Sequence, residues 1–122
     1  MANEGTINIS LAWANGLKTA AAAANVQFDV TESVIASGII TVTTAAAQID
    51  MENVVTPYAG FFWNHDATNY IEIGDWNGAA PIYTARLKAG MPAFIPLTLA
   101  ATDIAVKANT ASCSLQYLIL GT

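Results

Sequence analysis

The sequence has very few charged residues: Asp, Glu, Lys and Arg make up only 11% of its 122 positions, less than half the usual share. Only Lys18, Arg86, Lys88 and Lys107 are basic, and the net charge is −5. Four scattered cations cannot follow a phosphate backbone or an anionic bilayer surface, so nucleic acid and membranes are not expected as partners. The apolar fraction of 54% also excludes an intrinsically disordered chain.

Cysteine and histidine occur once each. Cys113 has no second cysteine with which to form an internal disulfide, and its strand-like surroundings predict a small buried apolar residue. His65 stands beside Asp66 in a polar stretch, but a metal centre needs three or four ligands. The sequence therefore predicts no metal site and no cofactor.

Motifs for catalysis are also missing. The chain has no Gly-x-Ser-x-Gly elbow and no glycine-rich loop leading into a helix. Asp66, Glu72 and Asp75 stand close together in the sequence, as carboxylates do in glycosidases or calcium sites. The segment after Asp75 lacks the alternating oxygen ligands of a calcium loop, and Glu72 alternates with apolar neighbours toward solvent. We therefore expect no enzyme and no catalytic residues.

The first residues, Met-Ala-Asn-Glu-Gly, contain no basic residue and no long apolar run, unlike a signal peptide. The alanine run from Ala20 to Ala24 is too short to cross a bilayer. We expect synthesis in a cytoplasm, with residues 1–5 forming an N-terminal arm that either contacts a partner or frays.

Strict alternation of apolar and polar residues is the main structural signal. Ile7, Ile9, Leu11 and Trp13 share one face of a predicted strand at residues 6–13, and similar patterns recur every 8–12 residues. The pattern predicts one all-β domain over residues 1–122, a sandwich or jelly roll of about eight or nine short strands.

Two local predictions accompany this fold. The alanine run from Ala20 to Ala24 favours a short helical turn or an extended connector, since alanine has the highest helix propensity. Residues 58–63 and 70–76 are rich in aromatic and β-branched residues and flank the turn-formers of residues 64–69. This arrangement predicts a β-hairpin, with a further turn at Asn77-Gly78.

Aromatic residues cluster around that predicted hairpin, and aromatic side chains are enriched in protein interfaces. The candidate interface residues are Tyr58, Phe62, Trp63, Tyr70, Trp76 and Tyr83. Trp76 and Tyr83 are also candidates for stacking against a sugar ring, which would make the chain a carbohydrate-binding β-sandwich, for example one that adheres to a host surface.

From Tyr58 onward the sequence resembles small virion proteins of tailed bacteriophages. The residues concerned are Tyr-Ile-Glu-Ile-Gly at 70–74, Tyr-Thr-Ala-Arg-Leu-Lys-Ala-Gly-Met-Pro-Ala at 83–93 and Ile-Ala-Val-Lys-Ala-Asn at 104–109. The resemblance implies a β-sandwich in the virion that decorates or cements a capsid, or joins a tail or fibre component. Its implied partners are the major capsid protein or other virion proteins. A homo-oligomer is expected as well, with a trimer as one arrangement.

Overall fold

The computed structural model describes residues 5–28, 35–51, 54, 57–76, 80–96 and 103–121, and within these ranges it contains ten strands and no helix. The strands are β1 (Gly5–Asn15), β2 (Lys18–Phe28), β3 (Ile35–Val42), β4 (Ala47–Ile49), β5 (Pro57–Asn64), β6 (Ile71–Trp76), β7 (Pro81–Leu87), β8 (Pro92–Pro96), β9 (Asp103–Ala108) and β10 (Cys113–Gly121). The all-β prediction is confirmed. Residues 1–4 of the expected N-terminal arm and the predicted Asn77-Gly78 turn lie outside the described residues.

The chain divides into two compact units, residues 1–31 and residues 32–122. Strands β1 and β2 belong to the first unit and form a two-stranded sheet of their own. The other eight strands belong to the second unit. The expectation of one domain over residues 1–122 stays a prediction.

The first unit contains an antiparallel hairpin in which Gly5 pairs with Phe28 and Asn15 with Lys18. Gly16 and Leu17 make the turn, and Gly16 has a φ of 62°, the left-handed conformation that tight hairpin turns need at their first turn residue. The helical turn expected at Ala20–Ala24 is wrong, because these residues lie within β2 and pair with residues 9–13 of β1. Cross-strand pairing overrides the weak helix propensity of a short alanine run.

The second unit is an eight-stranded jelly roll. Sheet I has the strand order β3-β10-β5-β8, and sheet II has the order β4-β9-β6-β7. The described strands alternate between the two sheets along the chain, except that β6 and β7 are neighbours in sheet II. This order is that of two interlocking Greek keys, the arrangement of double-sheet jelly rolls.

Side chains from both sheets fill the core between them, each strand contributing alternate residues. Sheet I contributes Ala36, Val42, Phe62, Leu115 and Ile119, and sheet II contributes Ile49, Ile71, Ile73, Leu87, Ile104 and Val106. Each large side chain buried in this way stabilises the fold by about 1.5–3 kcal/mol relative to an exposed one.

The hairpin predicted at residues 58–76 is wrong, because β5 belongs to sheet I and β6 to sheet II. The six intervening residues form an arch between the sheets. Asn64, fully buried, shapes the arch: its amide nitrogen donates to the carbonyl oxygens of Asn69 at 2.8 Å and Leu87 at 3.0 Å. The same turn-forming residues therefore direct the chain across the sandwich instead of back along one sheet.

Candidate functional site

Sheet I contains no charged residue. None of the four strands β3, β5, β8 and β10 has an Asp, Glu, Lys or Arg, whereas the strands of sheet II carry Glu72, Asp75, Arg86, Asp103 and Lys107. Apart from Asn64, the buried inward residues of both sheets are apolar, as a core requires. The difference between the sheets therefore lies on their outer faces.

The outer face of sheet I, hereafter the apolar face, is built from residues that alternate with the core residues. The strand register sets them in two rows: Ile39, Gln116, Trp63 and Pro92, then Ser37, Leu118, Phe61 and Phe94. Ile35 and Leu120 begin a third row. Ile39 is 67% exposed, Ile35 50% and Trp63 38%, so large apolar side chains on this face reach solvent.

Trp63 is held in place at one end of the apolar face. Its indole Nε1 donates to the carbonyl oxygen of Gly90 at 3.2 Å, and its ring stacks on His65 with 4.5 Å between centroids. Phe61 contacts Trp63 edge to face, with 6.5 Å between centroids. His65 Nε2 in turn lies 2.9 Å from Gln116 Oε1. These contacts fix an exposed aromatic side chain in one orientation, which lowers the entropy lost on binding.

The outer face of sheet II carries a row of charges. Glu72 lies directly between Lys107 of β9 and Arg86 of β7 in the strand register. The guanidinium of Arg86 lies 3.4 Å from the Glu72 carboxylate and 4.8 Å from the centroid of the Tyr70 ring. This face thus carries an ion pair between Arg86 and Glu72 and is the better suited of the two to contact with water.

Trp76 and Tyr83, the two residues predicted to stack on sugars, lie on adjacent strands of sheet II, where Trp76 pairs with Pro81. Tyr83 pairs with Gly74, which stands two residues from Trp76 on β6. The Tyr83 hydroxyl is buried and makes no hydrogen bond to the described residues. Burial, with a smaller effect of the Glu72 charge, raises the pKa of this hydroxyl above its ordinary value.

A cavity of about 310 Å³ lies beside Tyr83. Its walls are formed by Glu72, Tyr83, Thr84, Ala85 and Arg86. The cavity is therefore polar at its edge and borders the unpaired hydroxyl of Tyr83.

The structure distributes the six candidate interface residues over three places. Tyr58 and Trp63 are exposed on sheet I, and Phe62 is fully buried in the core. Tyr70, Trp76 and Tyr83 belong to sheet II or its border. Sequence reasoning missed the other residues of the apolar face, although one signal was present, namely the complete absence of charge from four strands.

His65 and Asp66 lie in the arch between β5 and β6, where Asp66 accepts hydrogen bonds from the arch backbone. Asp66 Oδ2 accepts hydrogen bonds from the backbone nitrogens of Asn69 at 2.6 Å and Thr68 at 2.9 Å. These bonds, that of Asn69 foremost, lower the pKa of Asp66 below its ordinary value. Among the residues that the structure describes, no three His, Cys, Asp or Glu side chains lie together as metal ligands would. No helix long and apolar enough to span a membrane occurs among them either.

Comparison of the chain with protein-family models, with curated proteins and with solved structures gives no significant match.

Proposed function

We propose that this chain is a structural protein of a bacteriophage particle, a decoration or cement protein that stabilises the shell by packing on the major capsid subunits. The observation that carries the proposal is the apolar face of sheet I, which is exposed and free of charge. In this proposal the chain catalyses no reaction and is located in the virion.

The size and composition of the apolar face suit a protein partner. Strands about 4.8 Å apart with outward residues about 6.8 Å apart give the two complete rows on four strands an extent of roughly 260 Å², to which Ile35 and Leu120 add. A contiguous, mainly apolar patch of a few hundred Å² is common on binding surfaces. Because the face has no charge, a partner loses no ionic hydration when it covers the face.

Trp63 is the proposed anchor of this contact. Aromatic residues that are held rigidly near an interface dominate its binding energy, while neighbouring contacts mainly exclude water. The resemblance of residues 70–74, 83–93 and 104–109 to tailed-phage virion proteins gives the setting of the proposal, and all three segments overlap strands of the jelly roll.

The experiment compares two exposed isoleucines, Ile39 on the apolar face at 67% exposure and Ile82 on sheet II at 56%. Shells are assembled from the other virion proteins that the same genome encodes, in the absence of this chain. The purified chain is then added to them. We expect Ile39→Lys to reduce binding to shells at least tenfold and Ile82→Lys to bind as the unsubstituted protein does. Absence of binding to the shells, or equal binding by both variants, would contradict the proposal.

A second function, carbohydrate binding, is favoured by the cavity that the unpaired Tyr83 hydroxyl borders, with Trp76 on the adjacent strand. Flat aromatic rings stack on sugar rings, and a buried hydroxyl can hydrogen-bond a sugar oxygen.

A glycan array tests this second function. If it is correct, Trp76→Ala removes binding, Tyr83→Phe weakens it by about tenfold and Trp63→Ala on the opposite sheet leaves it unchanged. An array without positive glycans, or a Trp76→Ala variant with full affinity, would exclude it.

A further inference from the structure

The β1–β2 hairpin has one apolar face made of two unlike rows. Large side chains, Ile7, Ile9, Leu11 and Trp13, form a row along β1, here named the ridge. In the strand register they pair with Val26, Ala24, Ala22 and Ala20 of β2, here named the groove. The opposite face is polar at its base, where Asn25 Nδ2 donates to Asn8 Oδ1 at 2.6 Å.

The ridge is exposed along most of its length. Leu11 is 73% exposed, Trp13 51% and Ile9 44%, and Val26 of the groove is 46% exposed. A two-stranded hairpin is at best marginally stable in water unless further strands extend it or a second layer covers its apolar face. The described residues of this unit thus present an apolar surface that has the composition of half a core.

We propose that this surface packs face to face on the same surface of a second copy of the chain. The reason for a second copy is that the hairpin carries both complementary shapes. A two-fold axis parallel to the strands lays the ridge of each copy over the groove of the other, so that Leu11 meets the partner's Ala22 and Trp13 the partner's Ala20. A two-fold axis perpendicular to the strands, in the plane between the hairpins, would set ridge against ridge and leave the grooves unfilled.

Area and charge agree with this pairing. From the exposed fractions of Ile9, Leu11, Trp13 and Val26, together with the exposed alanines of the groove, the face offers roughly 600 Å² per copy, or about 1,200 Å² for two, which reaches the lower bound for a specific interface. Lys18 is the only charged residue of the hairpin. It lies on the same face as the groove but one row beyond it, beside the turn, where its ammonium group can stay in water while the ridge and groove themselves carry no charge. The closed two-fold geometry uses each face once and gives a dimer through this surface.

The first test uses two neighbouring alanines that face opposite sides of β2. Ala22→Leu fills the groove, whereas Ala23→Leu adds the same side chain to the other face. We expect analytical ultracentrifugation of the isolated full chain to show a dimer, its dissociation constant raised at least tenfold by Ala22→Leu and unchanged by Ala23→Leu. A monomer at all concentrations, or equal effects of the two variants, would overturn the proposal.

The second test measures the direction of the pairing. Leu17, fully exposed at the turn, is replaced by cysteine and spin-labelled; Cys113 is buried and stays unlabelled in the native protein. The proposed axis keeps both turns at the same end, so we expect label distances of about 10–20 Å, given sheets that pack about 10 Å apart. Distances of about 35 Å or more, the length of an eleven-residue strand, would overturn the proposed axis. Both tests use the isolated chain, so their outcome is independent of shell binding.

Discussion

The amide nitrogen of Asn64, at the end of β5 in sheet I, donates a hydrogen bond of 3.0 Å to the carbonyl oxygen of Leu87, at the end of β7 in sheet II. The same nitrogen lies 3.3 Å from the Lys88 carbonyl oxygen, and Asn64 Oδ1 accepts from the Asp66 nitrogen at 2.9 Å. One buried side chain thus ties two sheets and the arch between them.

Asn64→Ala is expected to lower the free energy of unfolding by about 3 kcal/mol, because buried carbonyl oxygens lose their donor and a cavity remains. Urea unfolding followed by tryptophan fluorescence measures the change. Thr41→Ala, at an exposed position of β3, serves as the control and should change stability by less than about 0.5 kcal/mol. A loss at Asn64 no larger than the control's would show that the side chain does not hold the sheets.

The lowered pKa of Asp66 predicts that the folded protein loses stability in acid. Its pKa is lower in the folded protein than in the unfolded chain, so its contribution is complete above a pH of about 4 and is lost as the pH falls through the lowered pKa. Asp66→Asn removes that titration. Thermal unfolding between pH 2 and 6 should therefore show a shallower acid decline for the variant than for the unsubstituted protein, and parallel curves would refute the assignment.

Gly74 is expected to tolerate no side chain. A β-carbon there would overlap the backbone of Ile82 and lie 2.6 Å from the Tyr83 α-carbon, at the point where the β6–β7 register shifts. Gly74→Ala should cost about 3 kcal/mol or more, since backbone must move. Gly38→Ala is the matched control, because its nearest neighbour is the Tyr117 hydroxyl at 3.4 Å, and it should fold with little loss.

Cys113 is expected to be inert in the native protein. Its thiol is buried and lies 3.5 Å from the Ala111 carbonyl oxygen, and burial, with a smaller effect of the Asp66 charge, raises its pKa above the ordinary value. Ellman's reagent at pH 8 should react with one thiol per chain in urea and with none within minutes under native conditions. Rapid reaction of the folded protein would contradict the buried position of Cys113.

The strands were predictable because the alternation that indicates a strand lies within one short stretch of sequence. Alternation in residues 6–13 and in residues 114–120 matches β1 and β10 closely, since a strand with one buried face must alternate. The connections were not predictable in the same way. The arch after β5 depends on the hydrogen bond from the Asn64 side chain to the carbonyl oxygen of Leu87, 23 residues further along the chain. No pattern within residues 64–69 predicts that hydrogen bond.

The candidate site was predicted in part for a related reason. Alternation shows which residues share a face of one strand, but it does not show which strands share a sheet. Trp63 and Trp76 therefore seemed to belong to one surface, although the structure places them on sheet I and sheet II. The placement of Trp76 and Tyr83 on adjacent strands was foreseeable, because β6 and β7 are neighbours both in the chain and in the sheet.

The position of β10 has a consequence for biosynthesis. Strand β10 lies between β3 and β5 and hydrogen-bonds to both, although the ribosome makes it about 70 residues after β3 and about 50 after β5. Until β10 emerges, β3 has no neighbour in its sheet and the flank of β5 that β10 will cover stays open to other nascent chains. Sheet I must therefore close after translation of β10, in a late and concerted step.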